Sequence, residues 1–193
     1  KEDFYQLIVD GSEEQVILSI AKLQKELEEN KQSLLKSGDL QACRFGMHLF
    51  QPLFHVRKGG KITILPVALN ESEFQFVSDL KDWTETNERE LQEKGVELFL
   101  LRNLSRGKGV GFFEAGNFHP DFILWMIDGD KQYVTFIEPH GLLHEGPASE
   151  KLLFHQRIKE IETRLAKPDI ILNSFILSWT KYPQLQWGPS QED

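Results

Sequence analysis

Apolar residues recur along this chain with two different spacings, and the switches between them mark the elements. Val16, Ile20, Leu23, Leu27 and Leu34 lie on one narrow seam, which predicts a helix from Ser12 to Ser37 interrupted at Asn30. Gln41 to Leu69 reads as a hairpin turning at Lys58-Gly59-Gly60-Lys61, with Val56 opposite Thr63 and Arg57 opposite Ile62. Asn70-Glu71-Ser72-Glu73 has the form of a capping box, opening a helix that carries Val77, Leu80, Thr84 and Leu91 near one face and stops at Gly95. Val96 to Arg102 is then a strand, Asn103 to Gly111 a loop, and two further strand-like runs follow. A second long helix is expected from Ser149 to Ala166, with Phe154, Ile158, Ile161 and Leu165 at helical spacing, and Ile170 to Ser178 closes the pattern as a strand. The order is helix, three strands, helix, strand. It predicts an α/β core over 71–180, a mixed sheet flanked by helices, with a helix and β-hairpin extension over 1–70 and an irregular tail over 181–193.

The central pair of strands holds the densest chemistry. Asn117 to Trp125 and Tyr133 to Gly141 are joined by Asp128-Gly129-Asp130-Lys131, which has the composition of a hairpin turn. Asp121 and Glu138 are equally distant from a Gly129-Asp130 turn, so that register sets them directly opposite, about 4.5 to 5.5 Å apart. A turn at Asp128-Gly129 would make them diagonal neighbours on the same face; only a one-residue slip separates them. Facing carboxylates destabilise a hairpin by about 0.2 to 1 kcal/mol, and a divalent cation with oxygen ligands is the usual offset.

Four phrases add to this: Gln51-Pro52-Leu53, Pro66 to Glu71, Phe118-His119-Pro120-Asp121-Phe122, and Phe136-Ile137-Glu138-Pro139-His140-Gly141. In these phrases and in the order of its elements, the chain resembles the PD-(D/E)xK nuclease superfamily over roughly residues 43–178. More narrowly, it resembles the C-terminal nuclease region of type III restriction subunits and related DEAD/DEAH-box helicases. The resemblance implies a restriction-endonuclease-like core that hydrolyses DNA phosphodiesters with Mg²⁺ or Mn²⁺ held by Asp121 and Glu138. It also implies an upstream helicase domain as partner and the prokaryotic cytoplasm as location. The family's lysine, two residues after the second acid, is here His140, an imidazole in place of a permanent cation. Lys151 is the expected substitute, because it precedes Phe154 by three positions and shares the inward face of its helix. Glu88 is the expected additional metal ligand from the first core helix, and Glu114 a further acid near the hairpin.

Other motifs narrow the reading. Arg106-Gly107-Lys108-Gly109-Val110-Gly111 leads into Phe112-Phe113 and a strand rather than a helix, so it lacks the context of a nucleotide-binding loop. With Arg102, Arg106 and Lys108 it is instead the best local group for contacting DNA phosphates. The histidines lack zinc-ligand spacing, no serine sits in a nucleophile elbow, and a single cysteine, Cys43, excludes an internal disulfide. The net charge of -8 over 193 residues argues against coating nucleic acid by bulk electrostatics, so DNA affinity must come from local cations, metal or another domain. There is no signal peptide and no run long enough to span a bilayer. A chain opening on Lys1 is expected to be part of a longer one, its first helix connecting to a motor domain.

Overall fold

The seam expected to form one helix divides, in the computed structural model, into a helix and a strand. The structure describes residues 6–9, 14–29, 34–37, 39–43, 53–57, 62–65, 68–103, 110–112, 118–140, 142, 146 and 148–181. After strand β1 (Gln6–Val9), helix α1 spans Glu14–Glu29 and strand β2 spans Leu34–Ser37. Asn30 is a weak helix former, and β2 instead pairs antiparallel with β3 (Leu40–Cys43), from which two residues separate it.

The expected hairpin is also rearranged. β4 (Leu53–Val56) pairs with β3, and β5 (Ile62–Leu65) pairs with β1, so the two runs flanking the Lys58–Lys61 turn belong to different sheets. The buried apolar set explains the exchange: Leu40, Ala42 and Phe54 from one sheet meet Ile62 and Ile64 from the other around Leu23 of α1. A lone two-stranded hairpin could not bury both groups. His55 lies within this region, its Nδ1 donating to the Leu69 carbonyl at 2.7 Å and its ring stacked on Phe74 at 4.8 Å.

The capping box forms as its sequence requires. Glu73 N–H donates to Asn70 Oδ1 at 2.9 Å, and Asn70 N–H donates back to Glu73 Oε2 at 2.6 Å, opening α2 (Glu71–Thr86). The helix is not continuous to Lys94. It breaks at Asn87, whose φ of -104° and ψ of 11° leave the helical region, and α3 (Glu88–Lys94) follows, closed by Gly95 in the left-handed conformation with φ 65°. Thr86 and Asn87 are both poor helix formers, which offsets the apolar stripe that made the stretch look unbroken. The chain forms two compact units, Lys1–Thr86 and Asn87–Asp193, and the break falls at their junction.

The second unit carries α3, then β6 (Val96–Arg102), β7 (Phe122–Asp128), β8 (Lys131–Pro139), α4 (Glu150–Leu165) and β9 (Ile170–Leu177). Its sheet has the order β6-β7-β8-β9, antiparallel across the first three strands and parallel between β8 and β9. The architecture is mixed α/β. Gly129 takes φ 56° in the β7–β8 turn, and the register places Asp128 opposite Lys131, Trp125 opposite Val134 and Ile123 opposite Phe136. This is the Gly129-Asp130 alternative. Residues 181–193 were expected to be irregular; beyond Lys181 they lie outside the described residues, as does the Lys58–Lys61 turn.

A parallel β8–β9 pair needs a crossover, and α4 supplies it. Phe154 of α4 is completely buried against Phe112, Phe118 and Phe136, with ring centroids 4.6, 4.8 and 6.1 Å away, and Ile123, Ile158 and Leu172 complete the cluster. α4 also reaches the sheet through Glu162, whose Oε2 accepts from Leu172 N–H at 2.5 Å and from Lys159 at 2.9 Å.

Two consequences can be measured. Lys159, and then the Leu172 amide, hold the Glu162 carboxyl below the ordinary glutamate range. Its folded-state proton affinity is therefore lower than its unfolded one, so its stabilising contribution is present above the unfolded value near 4.3 and disappears as pH falls through the folded one. Glu162→Gln should lower stability by less than about 1 kcal/mol at pH 7 in urea unfolding, and the difference from wild type should shrink toward pH 3. Burial pushes the Cys43 thiol up to about 12. Native protein at pH 8 should therefore leave it unmodified by a thiol-exchange reagent, and unfolding in urea should release one reactive thiol.

Candidate functional site

Asp121 and Glu138 arrive together because the β7–β8 ladder runs to its last pair, Phe122 with Ile137, and the next step outward sets these two acids opposite each other. Strand alternation places Glu138 on the same sheet face as Phe136, the face covered by Phe154 of α4. Glu138 is a buried acid, 6% exposed, whereas Asp121 is half-buried. The backbone N–H of Asp121 donates to Glu138 Oε2 at 3.3 Å, which ties one acid to the main chain of the other. The other oxygen, Oε1, accepts from Lys151 Nζ at 2.6 Å.

The Lys151 contact follows from helix geometry. Lys151 and Phe154 are three residues apart and point to the same side of α4, so the packing that seats Phe154 beside Phe136 carries Lys151 toward Glu138, two residues further along β8. The Lys151 side chain is 32% exposed and the Glu138 side chain 7% exposed, so the lysine sits at the rim and the acid inside. His140, the residue after β8, is held by its backbone, its N–H donating to the Leu177 carbonyl at 3.0 Å, which extends the β8–β9 ladder two residues past Glu138.

Asn103, which the sequence pattern assigns only to a loop, is a central polar residue here. Its backbone N–H donates to the Asp121 carbonyl at 2.7 Å. Its side-chain amide donates to the carbonyls of Val110 at 2.7 Å and Pro120 at 2.8 Å, and its Oδ1 accepts from Val110 N–H at 2.8 Å. At 8% exposure, it satisfies both side-chain N–H groups away from water. The signal in the sequence is indirect: Pro120 marks the entry to β7 as irregular backbone, and the carbonyls of a buried irregular segment take partners from side chains.

No family model, curated protein or solved structure matches this chain. The reading of the site therefore stands on its geometry and chemistry. Among the described residues, no group of three or more His, Cys, Asp or Glu side chains is gathered as a metal site. Glu88 does not join the pair: it lies exposed in the first turn of α3, accepting from Gln92 Nε2 at 3.2 Å. Arg102 ends β6 opposite Phe122, one position from Asp121, whereas Arg106, Lys108 and Glu114 lie outside the described residues. No helix among the described residues is long and apolar enough to cross a membrane.

The donor set fits a hard divalent cation of the Mg²⁺ or Mn²⁺ class. Both groups offer carboxylate oxygens, and one or two carboxylates, with water and substrate oxygens completing the shell, are how Mg²⁺ is ordinarily held. Lys151 partly neutralises Glu138. Lys151→Met should leave a buried carboxylate without its ammonium and lower stability by about 1 to 3 kcal/mol in urea unfolding. A loss no larger than that of an exposed control such as Lys167→Met would show the ion pair to be energetically idle.

Proposed function

We propose that the second unit is a PD-(D/E)xK-type nuclease module that hydrolyses phosphodiester bonds in DNA with Mg²⁺ or Mn²⁺. The observation that carries this reading is the Lys151–Glu138 contact of 2.6 Å beside Asp121. It supplies, from helix α4, the lysine whose usual place two residues after the acid is taken by His140. The order α3, three strands, α4, strand supports a restriction-endonuclease-like core.

Asp121 and Glu138 would hold the cation, whose contribution is Lewis-acid polarisation of the phosphate and offset of its charge. Lys151 adds a permanent positive charge at the rim, where the phosphate approaches. As charge builds on the phosphate oxygens, the ammonium can exchange its hydrogen bond to Glu138 for one to the phosphate. His140, two residues after Glu138, would orient water through its imidazole. Arg102 lies at the same end of the sheet and suits a phosphate on either side of the cleaved bond. The partner would be DNA delivered by an upstream DEAD/DEAH-box helicase domain in a restriction or defence enzyme of the prokaryotic cytoplasm. An acidic chain with net charge -8 requires such delivery more than a basic one would.

One observation favours a second reading. With imidazole at His140 and Lys151 paired to Glu138, the same fold without catalysis would serve as a docking module for DNA or a subunit. Cleavage of supercoiled plasmid separates the two. Wild-type protein should nick it only with Mg²⁺ or Mn²⁺, and Asp121→Ala should reduce the rate by about 100-fold or more with an unchanged circular-dichroism spectrum. Nicking retained by the folded variant would overturn the assignment, and a wild type inert with either metal would favour docking.

A further inference from the structure

The site described so far has two acids and a lysine, yet only one of the acids sits in a regular strand. Glu138 lies within β8 and is laddered to Ile176 of β9, whereas Asp121 lies one residue before the start of β7. A carboxylate at a strand end needs something to fix its main chain, because catalytic geometry tolerates little drift.

We propose that Asn103 is the positioning residue for Asp121, an inference that rests on the metal-dependent nuclease reading. Asn103 acts as a substitute peptide group. Its backbone N–H extends the β6–β7 ladder by one bond, to the Asp121 carbonyl at 2.7 Å. Its side-chain amide then continues the connection past the end of the paired strands. One N–H holds the Pro120 carbonyl at 2.8 Å, while the other N–H and Oδ1 hold the carbonyl and N–H of Val110 at 2.7 and 2.8 Å. The chain leaving β6 and the chain entering β7 are thereby joined through one amide plane.

The two peptide groups flanking the Asp121 α-carbon are thus both tied down. Asn103 holds the Pro120 carbonyl before it and the Asp121 carbonyl after it, and the Asp121 N–H donates to Glu138 Oε2 at 3.3 Å. These peptide planes set the direction in which the Asp121 side chain leaves the backbone. Nearby bulk reinforces the arrangement: Pro120 is fully buried, Phe112 and Phe118 bridge the same excursion, and a side chain at Gly111 would overlap the ring of His119. Removing the amide leaves the buried Pro120 carbonyl without its donor and releases the exposed Val110 peptide to water, so the Pro120 carbonyl regains a partner only if the Pro120–Asp121 backbone moves.

Partners that orient a ligating carboxylate typically alter metal affinity by about 10- to 100-fold when mutated. The test is calorimetric titration of the full chain with Mn²⁺ at a temperature where near-ultraviolet circular dichroism shows each variant folded. Wild type should bind and Asp121→Ala should not. Asn103→Ala and Asn103→Asp should bind about tenfold or more weakly. Asn103→Asp keeps the acceptor for Val110 N–H and the side-chain shape, and it carries the measurement if Asn103→Ala does not fold. Ile158→Val, which loosens the buried cluster without touching the polar network, should lower the melting temperature and leave Mn²⁺ affinity unchanged. Asn103 variants within about twofold of wild type, or no weaker than Ile158→Val, overturn the positioning role while leaving the nuclease reading intact. A wild type that does not bind Mn²⁺ overturns the nuclease reading itself.

Discussion

The arrangement of the second unit depends on where Phe154 sits. A helix crossing a sheet can slide and rotate unless one large side chain locks it, and this ring is locked by Phe112, Phe118 and Phe136. Rotation by one residue would turn Lys151 about 100° away from Glu138 and replace a charge pair with a buried lone carboxylate. The apolar cluster therefore sets the polar chemistry. The crossover that β9 needs to run parallel to β8 is held by the same contact, with Leu172 as its counterpart on the strand.

Hydrogen bonding fixes what packing leaves loose. Asn103 satisfies the Pro120 carbonyl at the entry to β7, and Glu162 satisfies an N–H of β9. Both are polar side chains spent on main-chain groups, which costs less than leaving buried donors or acceptors unpaired. The candidate site thus has two kinds of support, rings beneath Lys151 and amide bonds behind Asp121.

How much of this could be read from residues alone varies with the range of the interaction. The Gly129-Asp130 turn announces its hairpin, and the turn fixes the register that brings Asp121 to Glu138, because all of that information is local. The Asn70–Glu73 cap, the Gly95 stop and the three-residue spacing of Lys151 and Phe154 are local too. β1 was invisible, since Gln6–Val9 is a short run whose partner, β5, begins at Ile62. Without β1, the runs around Lys58–Lys61 could only be paired with each other. The Leu34 seam residue looked helical until its strand partner at Leu40–Cys43 was in view, and the Asn87 break was hidden by an apolar stripe that continues past it. Asn103 escaped notice for the same reason: its partners lie 7 and 17 residues away, across an excursion that has no periodicity.

The parallel pairing of β8 with β9 has a kinetic side. The β7–β8 hairpin closes over two residues, whereas β9 can add only after α4 has been laid across the sheet, a step with much higher loop-closure entropy. The two acids are thus brought together by short-range contacts, and the ammonium that compensates one of them arrives with long-range docking. A contact made on the far side of the folding barrier does little to the folding rate and slows unfolding instead. The Lys151–Glu138 pair then acts as a latch on α4, governing how long the finished sheet persists and not how quickly it is built.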